Sequence, residues 1–405
     1  MMIRIFVALM FLLCGLQAPV RAQERPQDSE TQAYAKFLDA LWPDAQAKGI
    51  TRANFDLAFK GLTPDQRVIT ATKRQPEYGK PVGDYVNSLV SARRVTEGQR
   101  KHAEWAKTFD AVEKKFQVER WILVSIWGIE SSFGGAKDKW DVFRSLSTLA
   151  FVGYRHPYFR NELLVTLKIM QDGHIARKDM VSSWAGAMGQ TQFMPSNFVD
   201  YAIDFSGDGK PDIWTNVPDV LGSTGNYLKK GGWKFGQRWG FEVLVPPGFN
   251  YRKSRGTFAE WAKLGVKRAD GAAFPKDGDG ILFWPAGATG PGFLITKNYD
   301  VLKEYNNSDA YAIAIGHLAD RMAGGPPIKA AWPSTDRPLP RDARVALQKR
   351  LSELGYKVNT FQGNFQGHVD FDLRDNIRDE QVKHGMVPDG NPTPELLDKI
   401  GVKVP

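Results

Sequence analysis

Trp121-Ile-Leu-Val-Ser-Ile-Trp-Gly-Ile-Glu130-Ser-Ser-Phe-Gly-Gly135 is the stretch that decides the fold. From Trp121 to Ile129 the side chains are apolar almost all round, so the segment reads as a helix with no solvent face. Such a helix belongs at the centre of a helical domain. A single carboxylate, Glu130, lies near its last turn, and Gly134 and Gly135 read as the C-cap. Burial favours the neutral acid, and the negative end of the helix dipole disfavours a carboxylate there. Both effects raise the pKa of Glu130 towards the range in which it can deliver a proton near neutral pH. The competing reading is an exposed last-turn glutamate bonded to the loop that follows.

Outward from this helix the patterning stays mostly helical. Amphipathic spacing runs from Gln32 to about Lys115, as in Tyr34-Ala-Lys-Phe-Leu-Asp-Ala-Leu41, and returns at Leu146–Asp172 and Asp309–Leu318. Residues 236–297 differ: Trp239–Val245 and Gly280–Trp284 read as short strands among Gly and Pro turns. The expected class is α+β, mostly α, with a small β-containing insertion. Residues 329–340, with Trp332-Pro-Ser-Thr-Asp-Arg-Pro-Leu-Pro340, form a proline-rich linker to a module at 341–405.

The chain opens with Met-Met-Ile-Arg4, an apolar run from Ile5 to Leu13 and Val20-Arg-Ala22, which together read as a secretory signal over residues 1–22. The expected location is the periplasm. The only cysteine, Cys14, lies inside this signal after Leu13, where a lipoprotein signal wants a small residue, so lipid anchoring is disfavoured. The net charge of +9 falls to +7 once Arg4 and Arg21 leave with the signal. A basic exported protein suits an anionic partner such as a wall polymer or a membrane surface, but the scattered lysines and arginines argue against nucleic acid. Six histidines include no pair at helical metal-ligand spacing, and there is no Gly-x-Ser-x-Gly or phosphate-binding loop. Zinc peptidases, serine hydrolases of that type and P-loop enzymes are thereby disfavoured.

Two further segments carry chemistry. Ser182-Ser-Trp-Ala-Gly-Ala-Met-Gly-Gln-Thr-Gln-Phe-Met-Pro195 is dense in small residues and amides; glycines permit close backbone approach, and Gln190 and Gln192 offer donors and acceptors. Asp204-Phe-Ser-Gly-Asp-Gly-Lys210 begins like an EF-hand, with Asp204, Ser206 and Asp208 at alternate positions, Gly209 at the sharp turn and Lys210 offering its carbonyl. Thr215 stands where a closing Glu would be, and Asp212 is a local candidate. Asp277-Gly-Asp-Gly280 has too few ligands and reads as a turn.

Glu130-Ser-Ser-Phe-Gly134, Ala185-Gly-Ala-Met-Gly-Gln-Thr-Gln-Phe-Met-Pro-Ser196 and Tyr305-Asn-Asn-Ser-Asp-Ala-Tyr311 occur in that order. With Arg74-Gln-Pro-Glu-Tyr78 and Asn226–Trp233, they make the region from about 30 to 325 resemble the membrane-bound lytic murein transglycosylase B family. The resemblance implies a lysozyme-like catalytic domain (residues 23–328). It also implies cleavage of the β-1,4 bond between N-acetylmuramic acid and N-acetylglucosamine in peptidoglycan without water, leaving a 1,6-anhydromuramoyl end. Glu130 would act as acid and then as base, with the substrate's acetamido group in place of a second carboxylate. Ser183 would orient that group; Gln192, Tyr305 and Tyr311 would position or polarise Glu130 and the sugar. Phe193 and Met194 would pack the cleft wall, and Tyr154 would touch sugar. A later Asp219 would close the loop around a structural Ca2+, and catalysis itself would need no cofactor. The alternatives are a lysozyme-type muramidase and a non-catalytic wall-binding scaffold.

Beyond the linker, Arg344-Val-Ala-Leu-Gln-Lys-Arg-Leu-Ser-Glu-Leu-Gly-Tyr356 and Val387-Pro-Asp-Gly390 make residues 338–402 similar to the small three-helix peptidoglycan-binding domain. It would act either as a tethered binder or as an interdomain brace. The implied partners are peptidoglycan glycan strands, with peripheral association to the membrane or wall complexes, and a monomeric state.

Overall fold

The computed structural model describes residues 26–72, 79–136, 139–361 and 363–403. The expected leader, Cys14 and the Arg74–Tyr78 motif therefore lie outside the described residues. No helix among the described residues is long and apolar enough to cross a membrane.

The apolar run does form the central helix, Arg120–Ser131, whose residues from Ile122 to Gly128 are all buried. Its end departs from expectation. The cap is Ser132, not a glycine, and Ser132, Phe133 and Gly134 take φ of 51°, 58° and 79° in succession. Positive φ is unfavourable for a phenylalanine, so something must hold it. The reversal folds the Phe133 ring back over its own helix, edge-on to Trp127 at 5.7 Å, and a Cβ on Gly128 would come within 2.6 Å of it.

Helix Asp309–Met322 lies alongside the central helix, joined by the Ser125 hydroxyl donating to the Ile315 carbonyl at 2.7 Å. Its opposite side meets the strands. Trp239 packs where a side chain at Gly316 would otherwise stand, and its indole N–H donates to Asp320 at 3.0 Å. Helices Val82–Leu89, Ala92–Glu104, Ala106–Phe116 and Val217–Lys230 pack around this pair of helices. A second group packs Val142–Phe151 and Tyr158–Gln171 against Pro26–Ala47, Arg52–Phe59 and Gln66–Ala71.

Two short strands, β1 (Trp140–Asp141) and β2 (Val181–Ser182), pair antiparallel, and isolated bridges continue from Ser182 to Met188 and from Met188 to Phe193. Five others form an antiparallel sheet: β3 (Gly240–Leu244), β4 (Arg255–Thr257), β5 (Lys267–Arg268), β6 (Asp279–Phe283) and β7 (Gly292–Ile295), in the order β4-β6-β7-β3-β5. The sequence pattern shows β3 and β6 but not the two- to four-residue β4, β5 and β7, which are too short for alternation to register. Asp279 and Gly280, read as part of a turn, open β6 opposite Thr257 and Gly256.

The C-terminal module comprises helices Arg341–Glu353, Phe371–Lys383 and Pro394–Lys399 around Leu347, Leu351, Leu373, Ile377, Leu396 and Leu397. So small a core is marginal by itself. It leans on the sheet: Arg378 is buried, donating to the Leu282 carbonyl at 3.3 Å, and Ser254 donates to Asp375 at 2.8 Å. The linker is docked rather than a free tether. Glu242 accepts the N–H groups of Lys329 and Ala330 at 2.8–2.9 Å, and Asp336 accepts that of Val82 at 2.8 Å.

Candidate active site

Glu130 sits in the last turn of the central helix with its carboxyl enclosed and part of its side chain still open. Its Oε1 accepts a 2.5 Å hydrogen bond from the Tyr311 hydroxyl, and Tyr311 is itself buried. Burial pushes the Glu130 pKa from 4.5 up to about 7, against a smaller lowering by the Tyr311 hydrogen bond. No other carboxylate contributes to that shift among the described residues. The neutral acid therefore predominates below about pH 7, and a large share of the sites still carries the proton at that pH.

The segment from Ser183 to Phe193 is tied to the Glu130 helix through Gln190 and to Tyr305 through Thr191, and its shape follows from local hydrogen bonding. The Ser183 hydroxyl oxygen accepts the N–H groups of Ala185 and Ala187 at 3.3 and 3.1 Å, which closes a tight turn and leaves its proton to donate. Met188 and Phe193 exchange backbone hydrogen bonds at 2.8 and 3.1 Å. Between them Gln192 adopts φ of 52°, and its amide donates to the Gly189 carbonyl at 2.9 Å.

Phe193, expected to pack the cleft wall, is 1% exposed and so packs behind the surface and not at it. Its ring meets Tyr305 and Tyr227 at 5.8 and 5.6 Å, and Tyr305 is held from the other side by its hydroxyl donating to the Thr191 carbonyl at 2.7 Å. Tyr305 is close enough to Glu130 for the carboxylate to raise its pKa further. Met194, half-buried, precedes helix Pro195–Tyr201. The Tyr154 ring stacks on Phe159 with centroids 5.5 Å apart. Tyr305, Tyr311 and Glu130 are therefore drawn together, Ser183 and Gln192 lie on the adjoining loop, and Phe193 supports from behind.

The residue missing from the expected set is Gln190. Its Oε1 accepts the Trp127 indole N–H at 2.8 Å and its Nε2 donates to the Trp214 carbonyl at 2.9 Å, tying the loop to the helix that carries Glu130. A Cβ on Gly134 would lie 2.4 Å from that Oε1, which explains why the Glu130 turn needs glycine there. Its position in a loop of amides gave a hint, but only the tertiary contact singles it out.

Two other buried carboxylates are accounted for. Glu162 accepts the N–H and hydroxyl of Ser196 at 2.9 and 2.6 Å, fixing the start of the following helix. Asp309, expected only as a helix start, is also neutralised: Lys303 donates at 2.7 Å, Tyr299 and Arg374 at 3.0 Å each. These cations hold its pKa down at about 2 despite the burial that would raise it.

In the acidic loop, Asp204, Asp208 and Asp219 bring carboxylate oxygens within 4.8 Å of one another. Asp219 is fully buried and accepts the N–H groups of Phe205, Ser206 and Asp212 at 2.8–2.9 Å. Asp212 instead caps the next turn, accepting from Trp214 and Thr215 at 2.7 and 2.8 Å, so Asp219 is the residue that closes the loop. Ser206 lies between Asp204 and Asn216, at 3.2 and 2.9 Å. Among the described residues no arginine or lysine pairs with the three carboxylates; the Lys210 ammonium reaches the Gly173 carbonyl instead.

The family model described as the transglycosylase SLT domain matches residues 33–320. The chain belongs to that family. Residues 340–400 match a second model, the putative peptidoglycan binding domain. The membrane-bound lytic murein transglycosylase B of Escherichia coli is 31% identical over 236 residues, spanning 54% of this chain and 62% of that protein, less than two thirds of its length. The crystal structure of SltB3 from Pseudomonas aeruginosa in complex with NAG-anhNAM-pentapeptide is 41% identical. It superposes with a TM-score of 0.82 over 91% of this chain and 100% of that one. The lytic transglycosylase Slt35 of Escherichia coli, solved in complex with calcium, is 26% identical with a TM-score of 0.62, over 72% and 93% of the two chains. The expected lysozyme-like transglycosylase fold, mostly helical with small sheets, is the fold observed.

Proposed function

We propose that the chain is a lytic transglycosylase of peptidoglycan that cuts the β-1,4 bond between N-acetylmuramic acid and N-acetylglucosamine, without water, by means of Glu130 alone. The observation that carries the reading is an enclosed carboxyl whose one hydrogen-bond donor among the described residues is Tyr311 and whose pKa, about 7, is set by burial rather than by another described acid. A relative solved with NAG-anhNAM-pentapeptide supports the substrate class and the anhydro product.

In this reading Glu130 gives its proton to the glycosidic oxygen as the bond to C1 breaks, and the N-acetylglucosamine leaves as an alcohol. The acetamido oxygen of the muramoyl residue shields the positive centre, with the free hydroxyl proton of Ser183 available to orient that group. Glu130, now a carboxylate stabilised by Tyr311, takes the proton of the C6 hydroxyl, and O6 bonds to C1. The acid is restored, and no water is consumed. Substrate assistance of this kind removes the need for a second carboxylate. A lysozyme-type muramidase would yield products heavier by one water, so mass spectrometry of fragments released from sacculi separates the two. Loss of nearly all product in Glu130→Gln, with sacculus binding kept, excludes the scaffold reading.

The acidic loop fits a Ca2+ ion: hard oxygen donors, a clustered negative charge without a protein cation and left-handed glycines at 207 and 209 that wrap the backbone. Asp204, Ser206, Asp208, the Lys210 carbonyl and Asp219 would hold it, in a structural role remote from proton transfer. The wall substrate and the basic, leader-bearing sequence support a location at the cell envelope, in the periplasm.

A further inference from the structure

We propose that Arg374, supplied by the C-terminal module, is a positioning residue of the active site: by clamping Asp309 it fixes the helix start that aims the Tyr311 hydroxyl at Glu130. The inference rests on the function proposed above and concerns a residue far outside the matched transglycosylase domain.

The chain of contacts is short. Arg374 stands in helix Phe371–Lys383, 5% exposed, with Nη1 donating to the Gly390 carbonyl at 3.1 Å and its guanidinium 4.7 Å over the Phe283 ring. Phe371, one turn earlier, meets Phe283 and Tyr299 at 5.5 and 6.2 Å, so the helix is seated on the catalytic domain. Nη2 of Arg374 donates to Asp309 at 3.0 Å. Asp309 is the first residue of helix Asp309–Met322, and Ser308, its N-cap, accepts the Tyr311 N–H at 3.3 Å. Tyr311 thus lies in the first turn of the helix whose start Arg374 grips. The pair lines a cleft of about 360 Å³ between the two domains.

Stability alone accounts poorly for this arrangement. Arg374 Nε is buried with no hydrogen-bond partner, and a buried ion pair is commonly no more stabilising than apolar residues of the same volume. Orientation is what a guanidinium supplies and a methionine does not. The groups facing Asp309 are Arg374 from the module, with Lys303 and Tyr299 from helix Lys297–Tyr305; those facing Glu130 are Tyr311 and Tyr305, and Tyr85 faces Tyr311.

The test compares full-length wild type, Arg374→Met, Arg374→Lys, Tyr311→Phe and the Met/Phe double variant on sacculi, following anhydro products against pH. Arg374→Met keeps the apolar stem over Phe283. It is expected to lose about tenfold in kcat, in line with a misplaced catalytic group, with KM nearly unchanged. The fall in rate at alkaline pH moves upward, because a loosened Tyr311 no longer favours the Glu130 carboxylate. Arg374→Lys recovers most of the rate. In the Tyr311→Phe background Arg374→Met adds nothing. A wild-type kcat and pH profile in Arg374→Met, a loss confined to KM or sacculus retention, or additive effects in the double variant would overturn the proposal. Should Arg374→Met not fold, the Arg374→Lys pair with and without Tyr311→Phe makes the same comparison with a smaller change. If wild type yields no anhydro product, or Glu130→Gln retains turnover, it is the proposed function that fails instead.

Discussion

Replacing Glu130 by Gln tests the enclosed acid through stability, independently of any substrate. The wild-type carboxyl titrates at about 7 when folded, against 4.5 for the ordinary group. Ionising it in place therefore costs at most roughly 3 kcal/mol more than in the unfolded chain, at about 1.4 kcal/mol per pH unit. The sign follows from proton binding. Between the two values the folded state holds a proton that the unfolded state has released, so folding stability falls as pH rises through this window. Glutamine has nearly the same shape and no titration. Relative to wild type, Glu130→Gln should gain up to roughly 3 kcal/mol between pH 4 and pH 8, a differential rise in melting temperature on the order of 6 °C for a domain of this size. Melting curves of both proteins across that range are the measurement. Parallel curves would mean that Glu130 ionises at its ordinary value and cannot be the acid. The same titration governs catalysis: wild-type kcat/KM should decline tenfold per pH unit above about 7.

Other outcomes follow from single contacts. Gly134→Ala places a methyl 2.4 Å from Gln190 Oε1 at a φ of 79°, and should destabilise by roughly 1–3 kcal/mol in thermal melts and reduce turnover, whereas Gly153→Ala, with open space around it, should suffer only backbone strain. Gln190→Ala strands the Trp127 indole N–H and the Trp214 carbonyl, costing roughly 1–3 kcal/mol in urea unfolding together with activity. Chelation should lower the melting temperature and added calcium restore it; Asp208→Asn should weaken that calcium response, and equal melts with and without chelator would remove the metal from the account. Glu242→Ala should release the Lys329 and Ala330 N–H groups and make residues 329–340 more readily cut by proteases, read by mass spectrometry of the fragments.

Much of the site was legible because its signals are local. The run from Trp121 to Ile129 could only be a buried helix, and a carboxylate in the last turn of so apolar a segment stands out from the residue pattern itself. The acidic loop was equally visible, since Asp204, Ser206 and Asp208 sit at fixed offsets; the residue pattern by itself left Asp212 open beside the Asp219 that the resemblance implied, because the two differ only in which way the chain turns between them. Phe193 reads as a wall residue at any burial, and only its 1% exposure moves it behind Tyr305. The cap at Ser132 escaped notice because the ring of Phe133, packing back on Trp127, outweighs the preference for glycine at positive φ.

The sequence alone determined the helical class and the place of Glu130 at the end of an apolar run, because periodicity acts over a few residues, and its motifs carried the resemblance to a family. The tertiary structure decided what surrounds that acid: Tyr311, 181 residues away, as its hydrogen-bond donor, Gln190 as the strut behind its turn, and Arg374 reaching from another domain to hold Asp309. Those contacts join residues distant in the chain, and only the packing of helices in space can choose them.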